Sequence, residues 1–298
     1  MLVRHCVKKV RYALAAHGGC GKWASADGVH ALRALRAAVE VGTRALEQGA
    51  SALEAVCIAV VLLEDDPLFN AGTGSVLNSA GEAEMDASVM IGKDLRCGGV
   101  AAIKRVKNPV LVAREVMERT PHVLLAGEGA LAFARGCGFP DYDPITEERR
   151  ARHRAGIRSA HGSRGGTVGA VALDAAGRLA AATSTGGTSL KMPGRVGDSP
   201  IPGAGNYATR FAAASATGTG ELMMRVLAAK SVCDRIEQGM TASAAARSVV
   251  SAIRREGTES AALMVLDRTG SVGFSMRGGR LPRAWHAGGE TRIQARIS

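Results

Sequence analysis

The sequence predicts a mixed α+β chain whose strands and helices come in groups, not in alternating βαβ units. Three observations predict it. Short, wholly apolar runs lie near residue 13 and just after residue 166; two helical patterns stand in tandem up to residue 63; and two pairs of apolar runs, at 167–183 and 262–275, are each joined by turn residues. A layered sandwich accommodates that order better than a doubly wound parallel sheet.

The elements follow in turn. YALAAHGG reads as a short buried strand that ends at Gly18-Gly19, where the backbone turns tightly. Leu32, Leu35, Val39 and Leu46 share one helical face, with Gly49 placed to end the helix. Ser51-Ala-Leu-Glu54 is a capping box that opens a second helix running to about Leu63. A glycine-rich stretch then leads to a strand near 85–91, Asn108-Pro109 opens a helix ending at Thr120-Pro121, and 128–135 gives a shorter one.

Residues 140–166 hold six arginines (149, 150, 152, 154, 158 and 164) and almost no large apolar side chain, the composition of a long exposed linker. Beyond it come strands at 167–173 and 179–183, joined by Asp174-Ala-Ala-Gly177, and a Gly/Pro-rich loop over 186–205. Helices over 221–238 and 242–255 and a closing hairpin, 262–267 with 272–275, complete the chain. No internal repeat is present.

Composition narrows the function. With 46% apolar and 22% charged residues among 298, the chain is globular; disordered, collagenous and coiled-coil classes are excluded. The longest uncharged apolar run, AVCIAVVLL, is too short for a membrane span, and the N-terminal stretch lacks the apolar core of a secretory signal, so the expected address is cytoplasmic. Six cysteines show neither a C-x-x-C pair nor a metal-finger spacing, which predicts reduced thiols and no metal framework. A net charge of +11 raises the question of a polyanionic partner, but only 3% of residues are aromatic and no helix-turn-helix, RNP or zinc signature occurs. A solvated arginine-rich surface without nucleic acid is the expectation. Gly21-Lys22 lacks the spacing of a phosphate loop.

Three segments could carry chemistry. Thr167 heads a buried strand directly after the linker; cleavage before it would give a threonine hydroxyl beside its own α-amine, a base titrating near ~7.7–8.0. Taken alone, Thr167 reads more readily as an ordinary β-branched strand residue, since Gly-Thr before an apolar run is common. Arg195 and Asp198 stand three apart in the Gly/Pro-rich loop, a fork and a carboxylate able to hold the two charged groups of a free amino acid. Alternatively they form a surface ion pair. Thr217-Gly218-Thr219-Gly220-Glu221 opens a helix, where a hydroxyl and free N–H groups could face an oxyanion or simply cap the helix.

Together these segments resemble the plant-type asparaginase and isoaspartyl peptidase family of N-terminal nucleophile hydrolases. The resemblance rests on HGG at 17–19, LEDDPLFNAGTGSVLN at 63–78, EMDASVM at 84–90, GTVGAVALD at 166–174, TSTGG at 183–187, GRVGDSPIPGAG at 194–205 and TGTGE at 217–221. It implies a single-domain α+β protein, a four-layer αββα sandwich, made as a precursor and self-cleaved between Gly166 and Thr167 into chains 1–166 and 167–298. Thr167 would be the nucleophile toward asparagine or a β-aspartyl dipeptide, Thr185 its support, and Asn70 its orienter. Thr217 and Gly218 would form the oxyanion hole. Arg195 would take the α-carboxylate and Asp198 the α-ammonium, with Gly220 beside them. The resemblance also implies no cofactor for the chemistry, a structural sodium on the backbone carbonyls of Leu63, Glu64, Asp66, Phe69, Ala71 and Thr73, and a homodimer of cleaved protomers. The alternatives are a glycosylasparaginase, a threonine endopeptidase of the same superfamily, and an uncleaved relative that binds polyanions through the linker.

Overall fold

The computed structural model describes residues 12–156, 166–253, 259–287 and 292–298. In chain order the elements are β1 (Ala13–His17), α1 (Ser25–Glu47), α2 (Ala52–Glu64), β2 (Met85–Ile91), β3 (Cys97–Ile103), α3 (Pro109–Arg119), β4 (Leu124–Ala126), α4 (Gly127–Gly136), α5 (Glu147–Arg154), β5 (Val168–Leu173), β6 (Leu179–Thr185), β7 (Asn206–Ala208), β8 (Ala212–Gly218), α6 (Gly220–Val226), α7 (Ala228–Glu237), α8 (Ala242–Ala252), β9 (Ala261–Asp267), β10 (Val272–Arg277), β11 (Arg283–His286) and β12 (Gln294–Arg296). The expected α+β class holds.

One sheet runs β12-β11-β1-β5-β6-β2-β3-β4 and the other β10-β9-β8-β7. The central strands β1, β5 and β6 are built mostly from alanine, valine and leucine, with His17 ending β1 and Thr183, Ser184 and Thr185 ending β6, and are buried throughout. Alanine has low strand propensity, so these strands depend on packing on both faces. The period of two divides them. Leu14, Ala16, Val168, Ala170, Ala172, Ala180 and Ala182 pack with Leu35, Val39, Val56 and Val60 of α1 and α2. Ala13, Ala15, Val171, Leu173, Leu179 and Ala181 meet Ala213, Met264 and Leu266 of the second sheet. The other side of that second sheet, with Ala212, Ala214, Leu263 and Val265, packs with Val232, Val249 and Val250 of α7 and α8.

Local signals account for the boundaries. The Ser51 side chain accepts from Glu54 N while the Glu54 carboxylate accepts from Ser51 N, closing the capping box at α2. Gly49 takes φ +94° just beyond α1, as a helix-ending glycine does. The helix expected over 221–238 is instead two. Leu227 adopts φ +46° between α6 and α7, and the carbonyls of Gly203 and Ala204 accept from Lys230 N and Ala229 N, which satisfies the first turn of α7. Strands β3 and β8 went unread because CGGVAAI and AAASATG carry small residues with no alternation.

The linker expectation over 140–166 changes most. Residues 140–156 are docked: Tyr142 OH and Thr73 Oγ1 share a hydrogen bond of 2.9 Å, Gly74 N donates to Pro144 O at 2.8 Å, and α5 begins at a Thr146 cap. Arg149 is buried and donates from Nε to Gly74 O at 2.5 Å. Arg149 turns inward, Arg150 and Arg152 are partly buried, and Arg154 is exposed. Residues 157–165, with Arg158 and Arg164, lie outside the described residues, as do Cys6 and the end of the helix expected over 242–255. Among the described residues no helix is long and apolar enough to cross a membrane, and the described cysteines are all free thiols.

Candidate active site

Pairing between β5 and β6 brings two hydroxyls together. Val168 is opposite Ser184, so Thr167, at the head of β5, comes beside Thr185, at the end of β6. The Thr167 Oγ1 donates to Thr185 Oγ1 at 3.1 Å, and Thr185 Oγ1 accepts from Gly187 N at 3.0 Å. Asn70 reaches the same point from the loop after α2. Its backbone N–H donates to Gly166 O at 3.3 Å, and its carbonyl accepts from Gly186 N at 2.8 Å. Its side chain donates to Gly187 O at 2.7 Å and accepts from Val76 N at 2.9 Å. The oxygen of the Gly166–Thr167 peptide thus faces an N–H donor, with a hydroxyl beside its carbon on the next residue.

Gly19 closes the opposite side. Its φ is +93°, and a Cβ there would lie 2.3 Å from Gly166 Cα and 2.9 Å from Thr167 N, so only glycine lets this turn press on that peptide. Trp23 Nε1 donates to Gly19 O and holds it. Next along the chain, Cys20 N donates to Thr217 Oγ1 at 3.2 Å, which brings β8 to the site. Gly218 takes φ +124° against Ser260 O, and the strand turns there into α6.

Arg195 and Asp198, the residues expected to hold the substrate, meet at Gly220. A Cβ on Gly220 would come within 2.9 Å of Asp198 Oδ1 and 3.0 Å of Arg195 Nη2, so all three converge. Burial pushes the Asp198 carboxyl up to about 7, only partly offset by its own backbone N–H and by Arg195. Its Oδ2 is buried without a hydrogen-bond partner. Arg195 points Nε and Nη2 at Glu221, at 3.0 and 2.8 Å from Oε1. Burial alone would raise the Glu221 carboxyl; the guanidinium holds it below its usual range. A Cβ on Gly197 would lie 2.9 Å from Arg195 Nη1, and one on Gly187 3.4 Å from it.

Two groups were missed in the sequence. Glu221 read as a first-turn acid, although it braces the guanidinium. His17, behind β5, makes a 2.9 Å hydrogen bond from Nε2 to Ser215 Oγ, which bonds in turn to Thr183 Oγ1 at 2.7 Å. Burial pushes this imidazole down to about 3, a hydrogen bond with Thr167 offsetting it in part, so it stays neutral at working pH. Gly169 makes room for the contact: a Cβ there would sit 2.0 Å from Ser215 Oγ. The signal was HGG followed, two residues beyond Thr167, by a glycine inside a strand.

The loop from Leu63 to Thr73 curls tightly. Gly72 and Gly74 take φ +53° and +89°, and a Cβ on either would strike the carbonyl oxygen of Glu64 or of Pro67. Glu64 O accepts from Thr73 N and Asp66 O from Phe69 N, while Arg149 Nη2 lies 3.5 Å from Phe69 O. Neutral carbonyl oxygens are the donor type a hard cation takes, and in this loop those of Glu64 and Asp66 also accept backbone N–H groups. Among the described residues no group of His, Cys, Asp and Glu could hold a metal ion.

A family model described as Asparaginase matches residues 10–294. The plant-type L-asparaginase of Pyrococcus horikoshii is 46% identical over 88% of this chain and 92% of its own. The isoaspartyl peptidase of Salmonella typhimurium is 44% identical over 93% and 96%. An isoaspartyl peptidase/L-asparaginase from Mus musculus is 42% identical over 97% and 91%.

Proposed function

The chain belongs to the asparaginase family, and on that premise we propose that it is a threonine amidohydrolase that hydrolyses L-asparagine to aspartate and ammonia and cleaves β-aspartyl dipeptides. It is a hydrolase of the asparaginase and isoaspartyl peptidase kind. The observation that carries the reading is the contact of Thr167 with Thr185 beside a peptide carbonyl that faces Asn70 N–H.

Maturation comes first. Thr167 Oγ attacks the Gly166 carbonyl carbon, the oxygen gathers charge against Asn70 N–H, and the C–N bond breaks as the hydroxyl proton passes to the leaving nitrogen, which gives an ester and a free α-amine. Water hydrolyses that ester, freeing the Gly166 carboxylate and a Thr167 that carries both hydroxyl and α-amine. In turnover the amine takes the hydroxyl proton, and Oγ attacks the side-chain amide carbon of asparagine. Thr217 and Gly218 stabilise the oxyanion, ammonia leaves with the proton, and water hydrolyses the β-aspartyl ester. Thr185 and Asn70 hold the nucleophile. Arg195 grips the α-carboxylate and Asp198 the α-ammonium, with the side chain of Glu221 bracing the fork and Gly220 leaving it room.

The layers of helices and sheets form a four-layer αββα sandwich of the N-terminal nucleophile type, with the nucleophile at the head of the central strand β5. The carbonyls of Leu63, Glu64, Asp66, Phe69, Ala71 and Thr73 would hold a sodium ion that stiffens the loop bearing Asn70. The working unit is a homodimer of cleaved protomers in the cytoplasm. Ammonia release from asparagine, assayed beside hydrolysis of a β-aspartyl dipeptide, tests the reading; purified, cleaved protein that hydrolyses neither contradicts it.

A further inference from the structure

EMDASVM, at 84–90, is part of what marks the family likeness; Asp86 is the cross-strand partner of Thr185, but the side-chain hydrogen bonds of Glu84, Asp86 and Ser88 go elsewhere. Glu84, Asp86 and Ser88 stand at alternate positions on and just before β2, so the period of two points them to one face. That face holds the segment that bears Arg195 and Asp198. Both oxygens of Glu84 accept from Gly194 N, at 3.1 and 3.0 Å. Asp86 Oδ2 accepts from Gly197 N at 3.0 Å, and Ser88 Oγ donates to Ser199 O at 2.5 Å. Arg195 thus lies between the first two anchors and Asp198 between the last two.

We propose that Glu84, Asp86 and Ser88 are positioning residues for substrate recognition, a rack on one strand that sets Arg195 and Asp198 at the spacing of an amino acid's carboxylate and ammonium groups. This deepens the asparaginase reading and rests on it.

The segment between β6 and β7 has no helix or strand; its own turns satisfy some N–H groups, such as Arg195 N on Met192 O, while those of Gly194 and Gly197 take acceptors from β2 and the residue before it. Carboxylates supply strong ones, and they are buried here: Asp86 is fully shielded and Glu84 nearly so. Lys191, also buried, donates Nζ to the Glu84 carbonyl at 2.7 Å and places a positive charge between the two acids. Asp86 does a second task. Its Oδ1 accepts from Ala102 N at 2.8 Å, tying β3, at a residue with φ +49°, to the same anchor. A simple structural strut would not need three successive anchors that bracket the two recognition residues.

The test uses cleaved enzyme carrying Glu84→Gln, Asp86→Asn or Ser88→Ala, assayed on asparagine and on asparagine α-amide, which lacks the α-carboxylate. The account expects KM for asparagine to rise about tenfold with kcat within about twofold, and the preference for asparagine over the α-amide to shrink in step. A fall in melting temperature with KM and preference unchanged would make these residues struts and overturn the proposal, as would a loss confined to kcat. Ser88→Ala removes a single hydrogen bond and keeps the test available if either acid variant fails to fold. Wild-type enzyme inactive on both asparagine and β-aspartyl dipeptides would sink the function itself; an active wild type with unaltered variants sinks only the rack.

Discussion

The two halves of the site are held by different means. Thr167 and Thr185 stand at the ends of paired strands, where a ladder of backbone hydrogen bonds and packing on both faces fixes each residue against its neighbour. Arg195 and Asp198 stand in a segment without regular structure, held by side chains from β2. A ladder permits shifts only in whole residues, whereas a side-chain anchor can be altered one bond at a time. On the proposed roles the chemistry is rigid and the recognition adjustable, and substitutions in the two regions should fail in different ways.

The largest effect should come from the rigid half. Thr167→Ala is expected to remain a single band and to lose activity by about 10⁴-fold or more, read by denaturing gel and ammonia release. Arg195→Lys keeps the charge but loses the fork. Each charge-assisted bond lost costs about 1.5–3 kcal/mol, so kcat/KM on asparagine should fall roughly ten- to a hundredfold while the chain still splits. Equal damage to splitting and to recognition would erase the distinction between the halves.

A pH profile sharpens it. The raised Asp198 carboxyl carries a proton below about 7 in the empty site, and only its ionised form pairs with an ammonium. Binding must then release that proton, so KM for asparagine should rise as pH falls below about 7, approaching tenfold per unit. Asp198→Asn should flatten the KM slope. A slope unchanged in that variant assigns the titration to another group.

The smallest effect concerns the docked part of the linker. Arg149→Met leaves the Gly74 carbonyl without its donor and should cost about 1–3 kcal/mol of stability, read as a lower Tm. Arg154→Ala, at an exposed position of the same helix, should leave Tm unchanged.

Much of the rigid half was legible in the sequence. The capping box at Ser51, the apolar runs of β1, β5 and β6, and the hydroxyl at the head of β5 are local signals, and local signals can be read from one chain. Of the other half, Arg195 and Asp198 were legible as a fork and a carboxylate suited to an amino acid's two charged groups, but not what holds them in place. That Glu221 braces Arg195, or that Glu84 reaches Gly194 across 110 residues, depends on long-range packing with no trace in local periodicity. The linker misled for a related reason: composition averages over side chains and does not tell the inward Arg149 from the more exposed arginines around it.

The central claim is that opening the Gly166–Thr167 bond creates the base and so the activity. Freshly made protein should be sampled over time, with fragment masses and N-terminal residues read beside ammonia release from asparagine. The account predicts that activity rises in proportion to two fragments, of 166 and 132 residues, the second beginning at Thr167. Full activity in the unsplit 298-residue chain would contradict it.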